Sequence, residues 1–464
     1  MNVIREKVGR IPVQSGGTPL LLALVLLAAV PSQADFVEFR GEKLPVNYDK
    51  SKIAKYELED PLTFVDGSKV RDASDWARRR GEILGIFARE MYGAEPPKPD
   101  ALVTELLDEK VTAAGFAIRR RYRMSFRADG SGPAIEWAVW LPRHARKPVP
   151  VISFLNYRGN HELTDDPDVP VPTAWVRNGT YVKGHRASEA TRGQMCRTDA
   201  DTVRPLQTIL ARGYAVMSAC YCEVSPDPVH DEADPRYFQD TFAFTGVFSL
   251  WGARDPDRTD NTTSVGAWAW ALSRGLDLAG RIPEIDVRRA VVTGCSRLGK
   301  AALLAAARDE RFAVCVPVQC GGGGACLAKR DYGENVNTEV HLFSHWYCKA
   351  YAKYAADPAR TLTFDQHLLL ACVAPRALLV EGYDTHPWMD TEGEFLACRA
   401  AAPVWAFLGK GTMPDVPFPA TYDTSAIGAD MGFVCRTEQH GIAACDWNWM
   451  LDFADHSFNN RKQR

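Results

Sequence analysis

The chain has 464 residues, 46% of them hydrophobic and 10% aromatic, enough apolar material for a sizeable globular core. Its 55 Lys and Arg are interspersed with 58 Asp and Glu for a net charge of −3, and no basic tail or stripe is present, which excludes nucleic acid as an expected partner. In chain order, the first feature is a leader. Arg5, Lys7 and Arg10 precede eleven apolar residues over 20–30, and Ser32-Gln33-Ala34 closes the run with a small residue. This pattern predicts a secretory signal peptide over 1–34, its apolar core too short to span a bilayer. The mature chain, 35–464, is therefore expected to be secreted or periplasmic, without a membrane association after cleavage. It contains no repeat, low-complexity tract or linker, and reads as a single catalytic domain.

The spacing of Trp76, Ile83, Leu84, Phe87 and Met91 predicts a helix over 76–92, stopped by Pro96-Pro97. Short, nearly continuous apolar runs follow at 149–155, 214–220, 290–293, 312–318 and 377–380, the signature of strands buried on both faces of a parallel sheet. Predicted helices at 203–212, 265–278, 298–308 and 365–371 alternate with them. The alternation predicts a three-layer α/β/α sandwich with a mostly parallel, doubly wound sheet. In such sheets the chemistry gathers at the carboxyl ends of the strands. All twelve cysteines lie after the leader, and an exported chain is expected to join some of them as disulfides. They form no paired CxxC clusters, so no structural zinc, other metal or cofactor is expected.

After the strand at 290–293 comes Gly294-Cys295-Ser296-Arg297-Leu298-Gly299-Lys300, leading into an alanine-rich helix. A serine on a tight strand-to-helix turn is a nucleophile elbow: its hydroxyl sits at a helix N-terminus, where backbone N–H groups can hold an oxyanion. The usual G-x-S-x-G spacing has its second glycine one residue late here. The same stretch also fits G-x-x-x-x-G-K of a phosphate-binding loop, but Ala301 stands where that loop needs Ser or Thr for magnesium. Serine needs a base, and the base needs an acid, in the chain order Ser, acid, His. His440, in the polar loop Glu438-Gln439-His440-Gly441, is the base candidate. His341 and His345 sit four apart on a predicted helix with no third acidic ligand in evidence, so they read as helix-face residues. Asp384, just past the strand at 377–380, is the acid candidate; Glu381 and Asp390 are its rivals, Asp390 reading better as a cap.

With these residues in hand, the chain resembles the glucuronoyl esterases, bacterial branch, of the α/β-hydrolase superfamily. The resemblance covers nearly all of the mature chain. It is carried by the elbow at 294–300, by Trp76…Gly81-Glu82…Tyr92-Gly93 and by Asn160-His161. Gly266-Ala267-Trp268-Ala269-Trp270, Tyr332-Gly333-Glu334-Asn335-Val336, His345-Trp346 and Trp388…Gly393-Glu394-Phe395 extend it. It implies a serine esterase that cleaves the ester between a (4-O-methyl-)glucuronic acid of glucuronoxylan and a lignin alcohol through a glucuronoyl-serine. Ser296 would attack, Arg297 would stabilise the oxyanion, Lys300 and Glu334 would bind sugar hydroxyls, and Trp388 would cover the ring. Two positions depart from the family. Gln319 stands where a glutamate often follows the next strand, and His386 stands where many bacterial members carry an acid. The resemblance also implies a Cys326–Cys398 disulfide, no bridge to Cys295 because Gly441 replaces its partner, and a monomer. An acetyl or feruloyl esterase of the same fold, or a catalytically impaired carbohydrate-binding homologue, are the alternative readings.

Overall fold

The apolar runs do form the buried strands of a sheet. The computed structural model describes residues 35–112, 115–178, 182–195, 205–228, 241–437 and 440–462; the predicted leader lies outside them. Residues 35–464 make one compact unit. Phe36–Phe39 (β1) and Glu42–Pro45 (β2) pair as a separate hairpin. The main sheet takes Val103–Thr112 (β3), Ala117–Ser125 (β4), Ala134–Pro142 (β5), Val149–Asn156 (β6), Ala215–Cys220 (β7), Ile285–Cys295 (β8), Phe312–Val318 (β9), Ala377–Tyr383 (β10) and Met431–Arg436 (β11). Their order is β11-β10-β9-β8-β6-β7-β5-β4-β3. From β11 to β7 every pairing is parallel; β5, β4 and β3 extend that sheet antiparallel.

The chain runs from β6 to β7 on one side and then to β8 on the other, so the strand order reverses about β6. Ligands bind α/β sheets outside the carboxyl ends of strands at such a reversal, and Ser296 directly follows the carboxyl end of β8 there. Each predicted helix is present: Ala73–Glu90, Pro205–Ala211, Ser264–Ala279, Arg297–Arg308 and Gln366–Ala371. Side-chain caps fix the starts of three of them, Ala73–Glu90, Ser264–Ala279 and Gln366–Ala371. Asp72 accepts from the Asp75 N–H at 2.9 Å and Thr263 from the Gly266 N–H at 3.2 Å. One face of the sheet packs Phe87, Trp268 and Leu304 of these helices; the other packs Ile209 with Trp447 and Met450 of the C-terminal helix Ala444–Lys462. The result is the expected three-layer sandwich. Among the described residues no helix is long and apolar enough to cross a membrane.

Candidate active site

β8 ends at Cys295 and the next helix begins at Arg297, so Ser296 alone makes the turn. Its φ of 58° and ψ of −129° lie where L-residues are strained by about 1–3 kcal/mol. Backbone hydrogen bonds hold it there: the Ser296 N–H donates to Val318 O at 2.9 Å, and Gly299 and Lys300 N–H donate to Ser296 O at 2.8 and 3.1 Å. A Cβ on Gly294 would stand 2.3 Å from Leu298 O, and one on Gly299 would stand 2.9 Å from Gly294 O and 3.0 Å from Cys320 Cβ. The second glycine of the elbow falls one residue late because position 299 is where the new helix meets both Gly294 and the end of β9. The hydroxyl of Tyr157 donates to Cys295 O at 2.6 Å beside the serine.

Arg297 follows the serine, its N–H among the first-turn groups that lack an intrahelical acceptor. Its Nη1 donates to Asp227 Oδ2 at 2.5 Å, and the guanidinium lies over the rings of Tyr157 and Trp346 at 5.6 and 5.1 Å. Asp227 is fully buried. It also accepts from Trp346 Nε1 at 2.8 Å, Tyr221 Oη at 3.0 Å and His345 Nε2 at 2.7 Å. Burial opposes its charge, but Arg297 and these donors win and hold the carboxyl well below the usual range. Nη2 of Arg297 has no protein acceptor among the described residues. His345 thus belongs to the arginine's anchor, and the predicted helix through His341 ends at Leu342, one turn before it.

His440 lines the same cleft as Ser296 and Arg297, its ring 5.5 Å from that of Tyr383. Desolvation, with the positive charges of Arg297, Lys300 and Arg436, pushes its pKa down to about 4. Among the described residues no hydrogen bond joins its ring to Ser296 or to a carboxylate. Its loop is anchored through the backbone instead. Arg436 donates to Gly441 O at 2.5 Å and pairs with the buried Asp446 at 2.9 Å, which takes the Ala443 N–H at 2.7 Å. Gln319, at φ 47°, accepts from the Gly441 N–H at 2.9 Å while its Nε2 is buried without a partner.

Asp384 sits exposed just beyond β10. Its carboxyl is raised by desolvation, with Lys50 and Glu392 as its charged neighbours, and it makes no hydrogen bond to His440. Its N–H donates to Arg436 O at 2.8 Å, so it leaves the sheet beside the strand that leads into the histidine loop. The two rivals are placed differently. Glu381 is fully buried with neither carboxylate oxygen hydrogen-bonded, and burial drives its pKa well up, which keeps it neutral. Asp390 caps the helix Thr391–Ala401 through the Gly393 N–H and pairs with Arg330 at 2.7 Å.

The remaining three residues form one group. Lys300 is buried; its ammonium donates to Cys320 O at 2.7 Å, to Gly322 O, and to Glu334 Oε2 at 3.1 Å. Lys300, the lysine of the G-x-x-x-x-G-K stretch, is therefore held by two backbone carbonyls and a carboxylate rather than turned toward a phosphate. Among the described residues Glu334 Oε1 has no donor, and the Glu334 N–H donates to Trp388 O at 2.7 Å. Trp388 is half-buried. The predicted Cys326–Cys398 bridge is absent: both thiols are free and buried, and Cys326 donates to Asp390 Oδ2 at 3.3 Å. The ten buried cysteines among the described residues are free, against the expectation of disulfides. No cluster of three His, Cys, Asp or Glu among the described residues could hold a metal.

A carbohydrate esterase of an unknown prokaryotic organism is 32% identical over 95% of this chain and 98% of its own. A glucuronoyl esterase structure from Solibacter usitatus shares the fold with a TM-score of 0.78 at 32% identity, covering 88% of this chain and all of that one. The chain belongs to the glucuronoyl esterases of carbohydrate esterase family 15. Another member of similar structure, a promiscuous family 15 esterase from a marine bacterial metagenome, has a TM-score of 0.79 at 32% identity over 89% of this chain and all of its own. The 4-O-methyl-glucuronoyl methylesterase of Schizophyllum commune is 26% identical over 87% of this chain and 82% of its own. The profile of fungal glucuronyl esterases matches residues 248–409, a span that holds the elbow, Lys300, Glu334 and Trp388. Two features of this glucuronoyl esterase escaped the sequence reading: Asp227, which is 70 or more residues from Arg297, His345 and Trp346, and the Arg436–Asp446 pair behind the histidine loop. A lone acid in Pro-Asp-Pro gives no periodic signal; only the fold brings it under Arg297.

Proposed function

We propose that this protein is an exported serine esterase that hydrolyses esters of (4-O-methyl-)glucuronic acid in glucuronoxylan with lignin alcohols, acting as a monomer without a metal or cofactor. The observation that carries this reading is the strained Ser296 with an anchored arginine beside it and the Lys300–Glu334–Trp388 group one helical turn away. Ser296 Oγ attacks the carboxyl carbon of the sugar, and His440, neutral above about pH 4, takes its proton. Negative charge that develops on the carbonyl oxygen falls to the Arg297 N–H and to Nη2, both preorganised because Asp227 already holds Nη1. Glu334 Oε1 accepts from a sugar hydroxyl, Lys300 keeps Glu334 in place, and Trp388 lies against the ring. His440 returns the proton to the departing alcohol, and water repeats the sequence on the glucuronoyl-serine.

Asp384 supplies the acid. Its support is position: it leaves β10 beside the strand that feeds the histidine loop, while Glu381 is neutral and Asp390 is committed to Arg330. The predicted leader supports export. The test is hydrolysis of benzyl glucuronate beside an aryl acetate. Turnover of the glucuronate ester, lost in Ser296→Ala, supports the reading. Turnover of the acetate alone points to the acetyl esterase, and turnover of neither to a binding protein.

A further inference from the structure

A second cavity, of about 380 Å³, opens among the helices Ala73–Glu90, Ser264–Ala279 and Arg297–Arg308, and shares no lining residue with the cleft at Ser296. It meets the last of these helices at Ala305 and Arg308, whereas Ser296 directly precedes that helix, so about 14–18 Å of helix separates the two. Five cations line it, Arg80, Lys98, Arg274, Arg308 and Arg311, against the carboxylates Glu95, Asp309 and Glu310. Two of the cations are engaged internally: Arg80 with Glu310 at 2.8 Å, and Arg311 with Asp309 and Asp277, both at 2.6 Å. The other three keep donors in reserve. Arg274 is only 5% exposed and gives Nε to Asp277 at 2.5 Å, but neither Nη1 nor Nη2 has an acceptor among the described residues. Arg308 gives Nη2 to Gly93 O at 3.1 Å, and its Nη1 is buried without a partner. Lys98 is exposed and makes no ion pair among the described residues.

We propose that this cavity is a second carbohydrate site, which holds the free carboxylate of a glucuronate unit of the polysaccharide on the Arg274 fork and Lys98, with Trp270 against the sugar ring. The choice of sugar rests on the esterase reading above; the anion site rests on the cations alone. A buried guanidinium without an acceptor costs free energy, and a bound oxyanion supplies the acceptor that the fold leaves out. Burial also pulls the Arg308 pKa down, opposed first by Glu95, so a further negative charge here relieves that arginine. A planar carboxylate matches two guanidinium nitrogens side by side. The Arg274 guanidinium lies 5.5 Å from the centroid of the Trp270 ring, and that ring is fixed by its Nε1, which donates to Pro97 O at 3.0 Å. A carboxylate on the arginine therefore brings its sugar to the indole, which a bare inorganic anion would leave uncovered. Glu95 is exposed and makes no hydrogen bond among the described residues, so its carboxylate is open to a sugar hydroxyl. Hydrolysis releases the alcohol and leaves the acid on the polymer. The group this cavity takes is thus the product's own and that of every unesterified unit, and binding it keeps the enzyme on the acidic polymer without occupying Ser296.

The test is calorimetric titration of wild type, Lys98→Glu and Arg274→Lys with methyl α-glucuronoside, methyl α-glucoside, sulfate and phosphate at low ionic strength. Lys98→Glu reverses the charge of an exposed side chain, and Arg274→Lys keeps the charge but removes the fork. Wild type is expected to bind one equivalent more of the glucuronoside than either variant, the affinity at this site falling by about tenfold or more in each. Both variants are expected to keep kcat and KM for benzyl glucuronate within about twofold of wild type, which also reports that they are folded. Equal binding of the glucuronoside by wild type and both variants would overturn the site. Glucoside bound as tightly as glucuronoside would overturn the role of the carboxylate. Displacement of the extra glucuronoside by an equal concentration of sulfate or phosphate would overturn the choice of a sugar acid. A parallel loss of benzyl glucuronate turnover in both variants would overturn its separation from the catalytic site. Wild type that binds the extra glucuronoside yet turns over no glucuronate ester would instead remove the esterase reading and leave the anion site standing.

Discussion

Asp227→Asn isolates the role of the arginine's anchor. Asp227 has no exposed surface and takes one guanidinium, one indole, one phenol and one imidazole donor, with Arg297 Nη1 at 2.5 Å the closest. Asparagine keeps the shape and one acceptor oxygen but removes the charge, and it turns an N–H₂ toward a donor. Breaking one side of a buried ion pair costs about 3–5 kcal/mol, and the retained acceptor places the expected loss near the lower end, about 3 kcal/mol. The catalytic loss follows from geometry. Removal of an oxyanion donor outright costs about 10²–10³ in kcat, and a loosened Arg297 that keeps its backbone N–H in place is expected to lose about 10–10². Because the oxyanion exists only in the transition state, KM should change by less than about threefold. The assay is urea unfolding together with kcat and KM for benzyl glucuronate, on protein whose circular dichroism matches wild type. Wild-type kcat in a destabilised Asp227→Asn would refute the reasoning, because it would make the carboxylate a purely structural partner.

Three further outcomes follow from the ionisable groups of the site and core. The acidic limb of kcat/KM should fall near pH 4 to 5, since His440 must be neutral to act as base and its pKa lies near 4; a limb above pH 6 would contradict this environment. Glu394 is raised to about 8 by burial, so the folded chain holds a proton that the unfolded chain releases above its own lower pKa. Its contribution to stability is therefore present at low pH and falls as pH rises toward 8, by at most about 1.4 kcal/mol per pH unit. Glu394→Gln, which mimics the neutral acid, should match wild type in urea unfolding at pH 5 and exceed it at pH 8. Asp384→Ala should lower kcat by about 10–10³ with stability changed by less than about 0.5 kcal/mol, the outcome that the acid role proposed for this exposed residue requires; unchanged kcat would remove it from the site.

The parallel half of the sheet was legible because β6, β8, β9 and β10 are buried on both faces, and burial on both faces writes a continuous apolar run. The antiparallel half was not. β4 reads Ala-Ile-Arg-Arg-Arg-Tyr-Arg-Met-Ser, and its Arg120 and Arg121 are paired with Asp108, Glu109, Glu136 and Glu284 of other segments. That compensation is tertiary and leaves no local signal. The C-terminal helix was missed for a related reason: Trp447, Met450, Leu451, Ala454 and Phe458 make a buried stripe, but Trp449 and Phe453 blur its edge. Within the site, Ser296, Arg297 and Lys300 were legible because one turn of backbone fixes all three. How the acid candidate Asp384 lies relative to the histidine loop was not, because that depends on how β10 and β11 end side by side. The expected Cys326–Cys398 bridge failed because Cys326 turns to Asp390, a contact that spacing cannot reveal.

The central claim is that Ser296 carries the glucuronoyl group. Rapid quenching of the protein with benzyl glucuronate, followed by mass analysis of the peptides, tests it most directly. The account predicts an adduct with the mass of one glucuronoyl group on the peptide that contains Ser296, absent in Ser296→Ala together with turnover. Turnover that survives in Ser296→Ala, or an adduct on another peptide, would contradict it.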